Sequence, residues 1–102
     1  MGHRPVEFHP EAVLEAREAR EWYNERNEDV ATAFMDELDA AIDDVSDAPA
    51  RWPKYLYGTR QKLFYRFPYV LVYRERSDVI QIIAVAHGRR RPGYWKDRLD
   101  TE

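Results

Sequence analysis

Apolar positions in the first half of the chain recur every three or four residues, and in the second half every two, so the sequence predicts helices followed by strands. Ala12, Ala16, Ala19 and Tyr23 form one narrow helical face of small side chains closed by an aromatic, with Trp22 on its flank. His9-Pro10-Glu11 starts that helix: proline at the first position loses no needed hydrogen bond, and glutamate suits the positive end of the dipole. The polar run from Asn24 to Asp29 separates it from a second helix carrying Ala31, Phe34, Leu38, Ala41, Ile42 and Val45 on one side. So short a connection predicts an antiparallel hairpin, and Ser46-Asp47-Ala48-Pro49 ends it.

Arg51 to Gly58 is a connection rich in aromatics, expected to lie against the domain. Arg60 to Arg66 predicts the first strand of a meander, with Leu63 and Tyr65 facing the core and Arg60, Lys62 and Arg66 on the opposite side. Phe67-Pro68 is read as a tight hairpin into a second strand from Tyr69 to Glu75, and Arg76-Ser77-Asp78 as the next turn. Val79 to His87 is nearly continuous in apolar character and predicts a central strand covered on both faces. Arg4 to Phe8 alternates weakly and predicts a short edge strand, where Pro5 is tolerated. The expected fold is α+β, one domain over residues 1–102, with an N-terminal helical hairpin packed on a small antiparallel sheet; the order of elements argues against a βαβ fold.

Charge divides the same way. Residues 1–50 hold 4 basic against 14 acidic side chains and residues 51–102 hold 12 against 5, within a net charge of −3. This is either ordinary surface solvation or a basic working face beside an acidic scaffold. The lack of cysteine excludes disulfides and thiolate chemistry. The start, Met1-Gly2-His3-Arg4-Pro5, meets charge before any apolar run, so no signal peptide is expected, and Val6 stands where myristoylation of Gly2 would want serine or threonine. The longest apolar stretch, Val79 to Ala86, is too short for a membrane span. A cytoplasmic location is expected.

Two cationic groups carry candidate chemistry. Arg60, Lys62 and Arg66 share a parity and would track phosphate or carboxylate, or serve as solvated edge charges. His87 ends the central strand and leads into Arg89-Arg90-Arg91, Tyr94 and Trp95. A histidine, able to accept or give a proton, beside guanidinium groups is the inventory of a metal-free ribonuclease, and equally of a phosphate-contacting loop or a structural strand end. Tyr94 and Trp95 are read as a hydrophobic clasp for the tail before a base-stacking platform. No glycine-rich phosphate loop is present, and His3 and His9 are not spaced as a metal motif, so no cofactor or metal is expected.

Several blocks carry a resemblance over residues 6–95: Phe8-His9-Pro10-Glu11-Ala12, Trp22-Tyr23, Phe34 to Ile42, Ala48-Pro49, Trp52-Pro53, Arg66 to Tyr73, and Ala84 to Trp95. In their order and spacing the chain resembles the RelE/ParE toxin superfamily, specifically the ParE-like, plasmid-stabilisation branch of type II toxin–antitoxin systems. The resemblance implies a cognate antitoxin wrapping the chain in a hetero-oligomer, with acidic side chains near Arg89–Arg91 and apolar ones along the helices. ParE-like members poison DNA gyrase; RelE-like members cleave mRNA on the ribosome. Target binding would fall to Arg60, Lys62, Arg66, Arg89, Arg90, Arg91, Tyr94 and Trp95, and a nuclease would use His87, Arg66, Arg90 and Tyr94. The chain departs from the nuclease pattern in lacking a full lysine and arginine set on its central strands and an acid–base pair at its extreme C-terminus. The expected function is therefore a gyrase-binding toxin, with the mRNA endoribonuclease and an inactive regulatory homologue as alternatives.

Overall fold

The first helix, α1 (Pro10–Asn24), starts where the sequence places it: His9 is extended and its Nδ1 accepts the Glu11 N–H at 3.1 Å. Three residues later α2 (Glu28–Asp47) begins, with Asn27 Oδ1 accepting the Asp29 N–H at 2.8 Å. These elements belong to a computed structural model that describes residues 3–100. Met1 and Gly2, and the lipidation reading made of Gly2, lie outside the described residues.

The helices pack on one face of a four-stranded sheet of order β1-β4-β3-β2, built from β1 (Val6–Phe8), β2 (Arg60–Leu63), β3 (Tyr69–Arg76) and β4 (Val79–His87). The meander β2-β3-β4 is antiparallel as expected, whereas the edge strand β1 runs parallel to β4, pairing Val6 with Ile80 and Phe8 with Ile82, so the sheet is mixed. Ser46 ties that edge to the end of α2: its hydroxyl donates to the Arg4 carbonyl at 2.6 Å and accepts the Arg4 N–H at 3.0 Å.

Ala12 and Ala19 are 0% and 3% exposed, and their small side chains let α1 lie close to β4. Between helices and sheet, Phe34 meets the rings of Tyr23, Phe64, Phe67 and Tyr69 at centroid distances of 5.5, 5.5, 5.3 and 5.2 Å. Such ring pairs contribute about 0.5–1.5 kcal/mol each beyond their burial.

The parity expected for the first meander strand is reversed. Leu63 and Tyr65 are exposed, at 68% and 92%, while Phe64 enters the core and stacks on Phe34. Arg60 and Lys62, opposite Tyr73 and Leu71, therefore share the helix side of the sheet with Phe64. The strand also ends at Leu63, three residues early, because the Tyr65 and Arg66 N–H groups donate to the Glu37 carboxylate of α2 instead of to a neighbouring strand.

β4 is the central strand that its apolar run predicts, covered on both faces. A bulge at Ile83 lets Ile80, Ile82 and Val85 face the helices while Ile83, Ala84 and Ala86 face away. The second face is covered by the tail: Trp95 is 2% exposed against Val72, Ile83, Ala84 and Ala86, with Tyr55 and Tyr57 each 6.0 Å from its ring. Gly93 turns the chain into this position at φ 82°, where a side chain would also meet the Tyr57 ring at 3.1 Å. The aromatic connection thus packs on the domain as expected, and Trp95 is the clasp for the tail.

Tyr73 is fully buried and donates to the Pro49 carbonyl at 2.6 Å, and burial pushes its pKa up to about 12. A folded pKa above the unfolded value of 10 means stability is intact below pH 10 and falls as pH rises toward 12. The expected slope in that window is about 1.4 kcal/mol per pH unit from this group. Tyr73→Phe should cost about 1 kcal/mol near neutrality and flatten the alkaline decline. Urea midpoints measured from pH 8 to 12 check both, and an unchanged alkaline slope would contradict the assignment.

Candidate functional site

His87 closes β4 opposite Tyr69, and the two rings meet edge to face at 5.0 Å. A tight turn follows, in which the Gly88 N–H donates to the Pro68 carbonyl at 2.7 Å and the Arg90 N–H to the His87 carbonyl at 3.0 Å. The Arg89 N–H donates to His87 Nδ1 at 3.0 Å, which in the neutral ring leaves the proton on Nε2. Arg89, Arg90 and Arg91 are all exposed. The Arg90 guanidinium lies 3.8 Å from the centroid of the Tyr94 ring.

Tyr94 is anchored in turn. Its hydroxyl donates to Glu15 Oε2 at 2.6 Å, and the same carboxylate takes the Val85 N–H at 2.9 Å and both ends of the Arg98 guanidinium at 3.0 and 2.8 Å. Arg98 also donates to the Ile83 carbonyl at 3.0 Å. The reason is topological. β1 pairs with β4 only as far as Ile82, and beyond it Glu15 and Arg98 supply the partners that a neighbouring strand would have given. Burial, followed by the hydrogen bond and charge of Glu15, drives the Tyr94 pKa far above the ordinary tyrosine value. Burial alone would lower Arg98, but Glu15 more than offsets it and the guanidinium is held above its usual value. The Tyr94 hydroxyl is therefore a committed donor.

Between α1 and the end of β4 lies an open cleft of about 520 Å³, lined by Glu18, Trp22, Tyr23, Tyr69, His87 and Arg90 among others. Arg66 stands at the same end of the sheet, on the hairpin before Pro68, with its side chain 59% exposed and its Nε 3.9 Å from Glu37. It lines a groove with Lys62 and Glu37 on the α2 side, and none of Arg60, Lys62 and Arg66 lines the His87 cleft. Arg60 donates to the Trp52 carbonyl at 2.7 Å, and Lys62 sits 4.2 Å from the Trp52 ring centroid and 3.7 Å from Asp44. Tyr73, opposite Arg60, is four residues along β3 from Tyr69, opposite His87, which at the usual rise is roughly 14 Å. Trp95 is a core residue with no face for a ligand.

The structure thus brings together His87, Arg89, Arg90, Arg91 and Tyr94, sets Arg66 in a separate groove with Glu37 and Lys62, and leaves Arg60, Lys62 and Trp95 in structural positions. Glu15 escaped the sequence reading, which weighed the acids of the first half only as surface solvation or acidic scaffold. Its signal was its place three residues after Ala12 and four before Ala19, beside the buried stripe. Among the described residues no group of three or more acidic or histidine side chains could hold a metal ion, and no helix is long and apolar enough to cross a membrane. His9 caps α1, and His3 pairs with Asp47 at 2.7 Å.

A helical hairpin packed on a small sheet is an architecture shared with a solved structure titled "Chromosomal ParDE TA system from P. aeruginosa". The two superpose with a TM-score of 0.73 at 12% identity, over 85% of this chain and 98% of that one. No curated protein matches the chain. The family model described as the ParE toxin of type II toxin-antitoxin system, parDE, matches residues 6–92. The chain belongs to the ParE toxin family.

Proposed function

We propose that the chain is a toxin that acts in the cytoplasm by binding a protein, DNA gyrase, and that a cognate antitoxin neutralises it in a hetero-oligomer. One observation carries the protein-binding reading over the nuclease: among the described residues the cationic end has no complete acid–base set. The Tyr94 hydroxyl is tied to Glu15, and Arg60 and Lys62 are pinned beside Trp52. What remains is an exposed arginine turn above an aromatic-lined cleft, a surface suited to gripping acidic and apolar side chains. Membership of the ParE family supports both the toxin role and the antitoxin partner.

Purified toxin is expected to inhibit gyrase supercoiling, and added antitoxin to restore it. Supercoiling undisturbed at saturating toxin would sink the gyrase target. The ribonuclease reading retains one favourable observation, His87 and Arg66 at one end of the sheet. It requires cleaved mRNA on programmed ribosomes and a large loss on His87→Ala.

A further inference from the structure

The loop arginines are equal in sequence and unequal in structure. Among the described residues, the Arg89 and Arg91 side chains have no hydrogen bond, ion pair or ring contact, whereas the Arg90 guanidinium carbon lies over the Tyr94 ring, 3.8 Å from its centroid. Stacking on a ring fixes the guanidinium plane and leaves its in-plane N–H groups free, which is the geometry of a two-point contact with a carboxylate. The residue beneath is itself anchored. Its hydroxyl is held by Glu15, its N–H donates to the Arg91 carbonyl at 3.1 Å, and Trp95 next to it is buried. Glu15 in turn is fixed by Val85, Tyr94 and Arg98, with its side chain only 13% exposed.

We infer that Glu15, through Tyr94, is a positioning residue that presets Arg90 as the bidentate contact for an acidic side chain of the protein partner. This rests on the protein-binding reading above. Arg89 and Arg91 must each lose side-chain freedom on contact, and Arg90 has already lost it, so equal charges give unequal binding. A carboxylate fits better than a nucleic-acid backbone. Glu18 lines the same cleft and repels an extended polyanion, while Trp22, Tyr23 and Tyr69 offer an apolar seat beside a single acid.

Side-chain NMR of the full chain tests the relay directly. The Arg90 Nε–Hε signal should be shifted upfield by the Tyr94 ring and more ordered than those of Arg89 and Arg91. Tyr94→Phe removes only the hydroxyl and should reduce the upfield shift of that signal and lower its order while the strand amides stay in place; Glu15→Gln, which keeps an acceptor for Tyr94, should preserve more of both. The binding arm uses a short peptide of glutamate and leucine, with inorganic phosphate and a single-stranded RNA as competitors. Arg90→Lys should weaken peptide binding about tenfold and Arg89→Lys or Arg91→Lys twofold or less. Equal losses in the three lysine variants, an Arg90 signal as mobile as its neighbours, or preferred binding of phosphate or RNA would each overturn the inference. Gyrase left undisturbed while peptide binding still depends on Arg90 would reject the gyrase target and uphold the relay.

Discussion

Glu15→Ala is expected to lower the free energy of unfolding by about 3–5 kcal/mol, the range for removing one partner of a buried ion pair. The Glu15 and Arg98 side chains are 13% and 14% exposed, so the guanidinium left behind could neither recover full hydration nor give up its proton. The substitution also strips an acceptor from the Val85 N–H and the Tyr94 hydroxyl, both at hydrogen-bond distance in the folded chain. Each donor left unpaired adds about 1–3 kcal/mol if water cannot reach it. For a domain whose whole stability is about 5–15 kcal/mol, the variant would be marginal at 25 °C. Equilibrium urea unfolding measures it, and Glu15→Gln should recover part of the loss by keeping one acceptor. The exposed His3–Asp47 pair provides the contrast: its side chains are 62% and 64% exposed, and Asp47→Asn should shift stability by less than about 1 kcal/mol. A loss for Glu15→Ala as small as that would mean solvent reaches the pair and that it does not lock the tail.

The helices and the central strand were legible because their apolar period is long and uninterrupted: six positions of α2 keep one face, and β4 is apolar almost throughout. Arg60 to Arg66 misled because parity was assigned from Leu63 and Tyr65 without weighing Phe64 on the other side. The core offered a stacking place to Phe64, the ring without a hydroxyl to satisfy, and the cations of that parity were carried inward, where Trp52 and Asp44 receive them. The parallel pairing of β1 could not be read locally, since it depends on α1 and α2 carrying the chain away before β4 forms beside it. The cationic turn was visible as a run of arginines. Their inequality was not, because it comes from a glutamate 75 positions before Arg90, and no short-range pattern reports such a distance.

Trp95→Ala separates the two roles that the sequence left open for this residue. As a clasp, the indole is a core side chain at 2% exposure, and its removal should cost about 3–5 kcal/mol together with the cavity it leaves. The loss would not stay local. Tyr94 and Arg98 flank the indole in sequence and bind Glu15, so freeing the tail loosens the support under Arg90 while α1 and α2 keep their own contacts with the sheet. Trp95→Phe retains most of the apolar area and should lose far less, about 1–2 kcal/mol. A base-stacking platform predicts the reverse: unchanged urea midpoints for Trp95→Ala with binding abolished. Circular dichroism at 222 nm follows the unfolding without depending on the indole that is removed. Rapid amide exchange confined to β3 and β4 in the variant would mark the face that the tail normally covers, since Val72, Ile83, Ala84 and Ala86 lie directly beneath it.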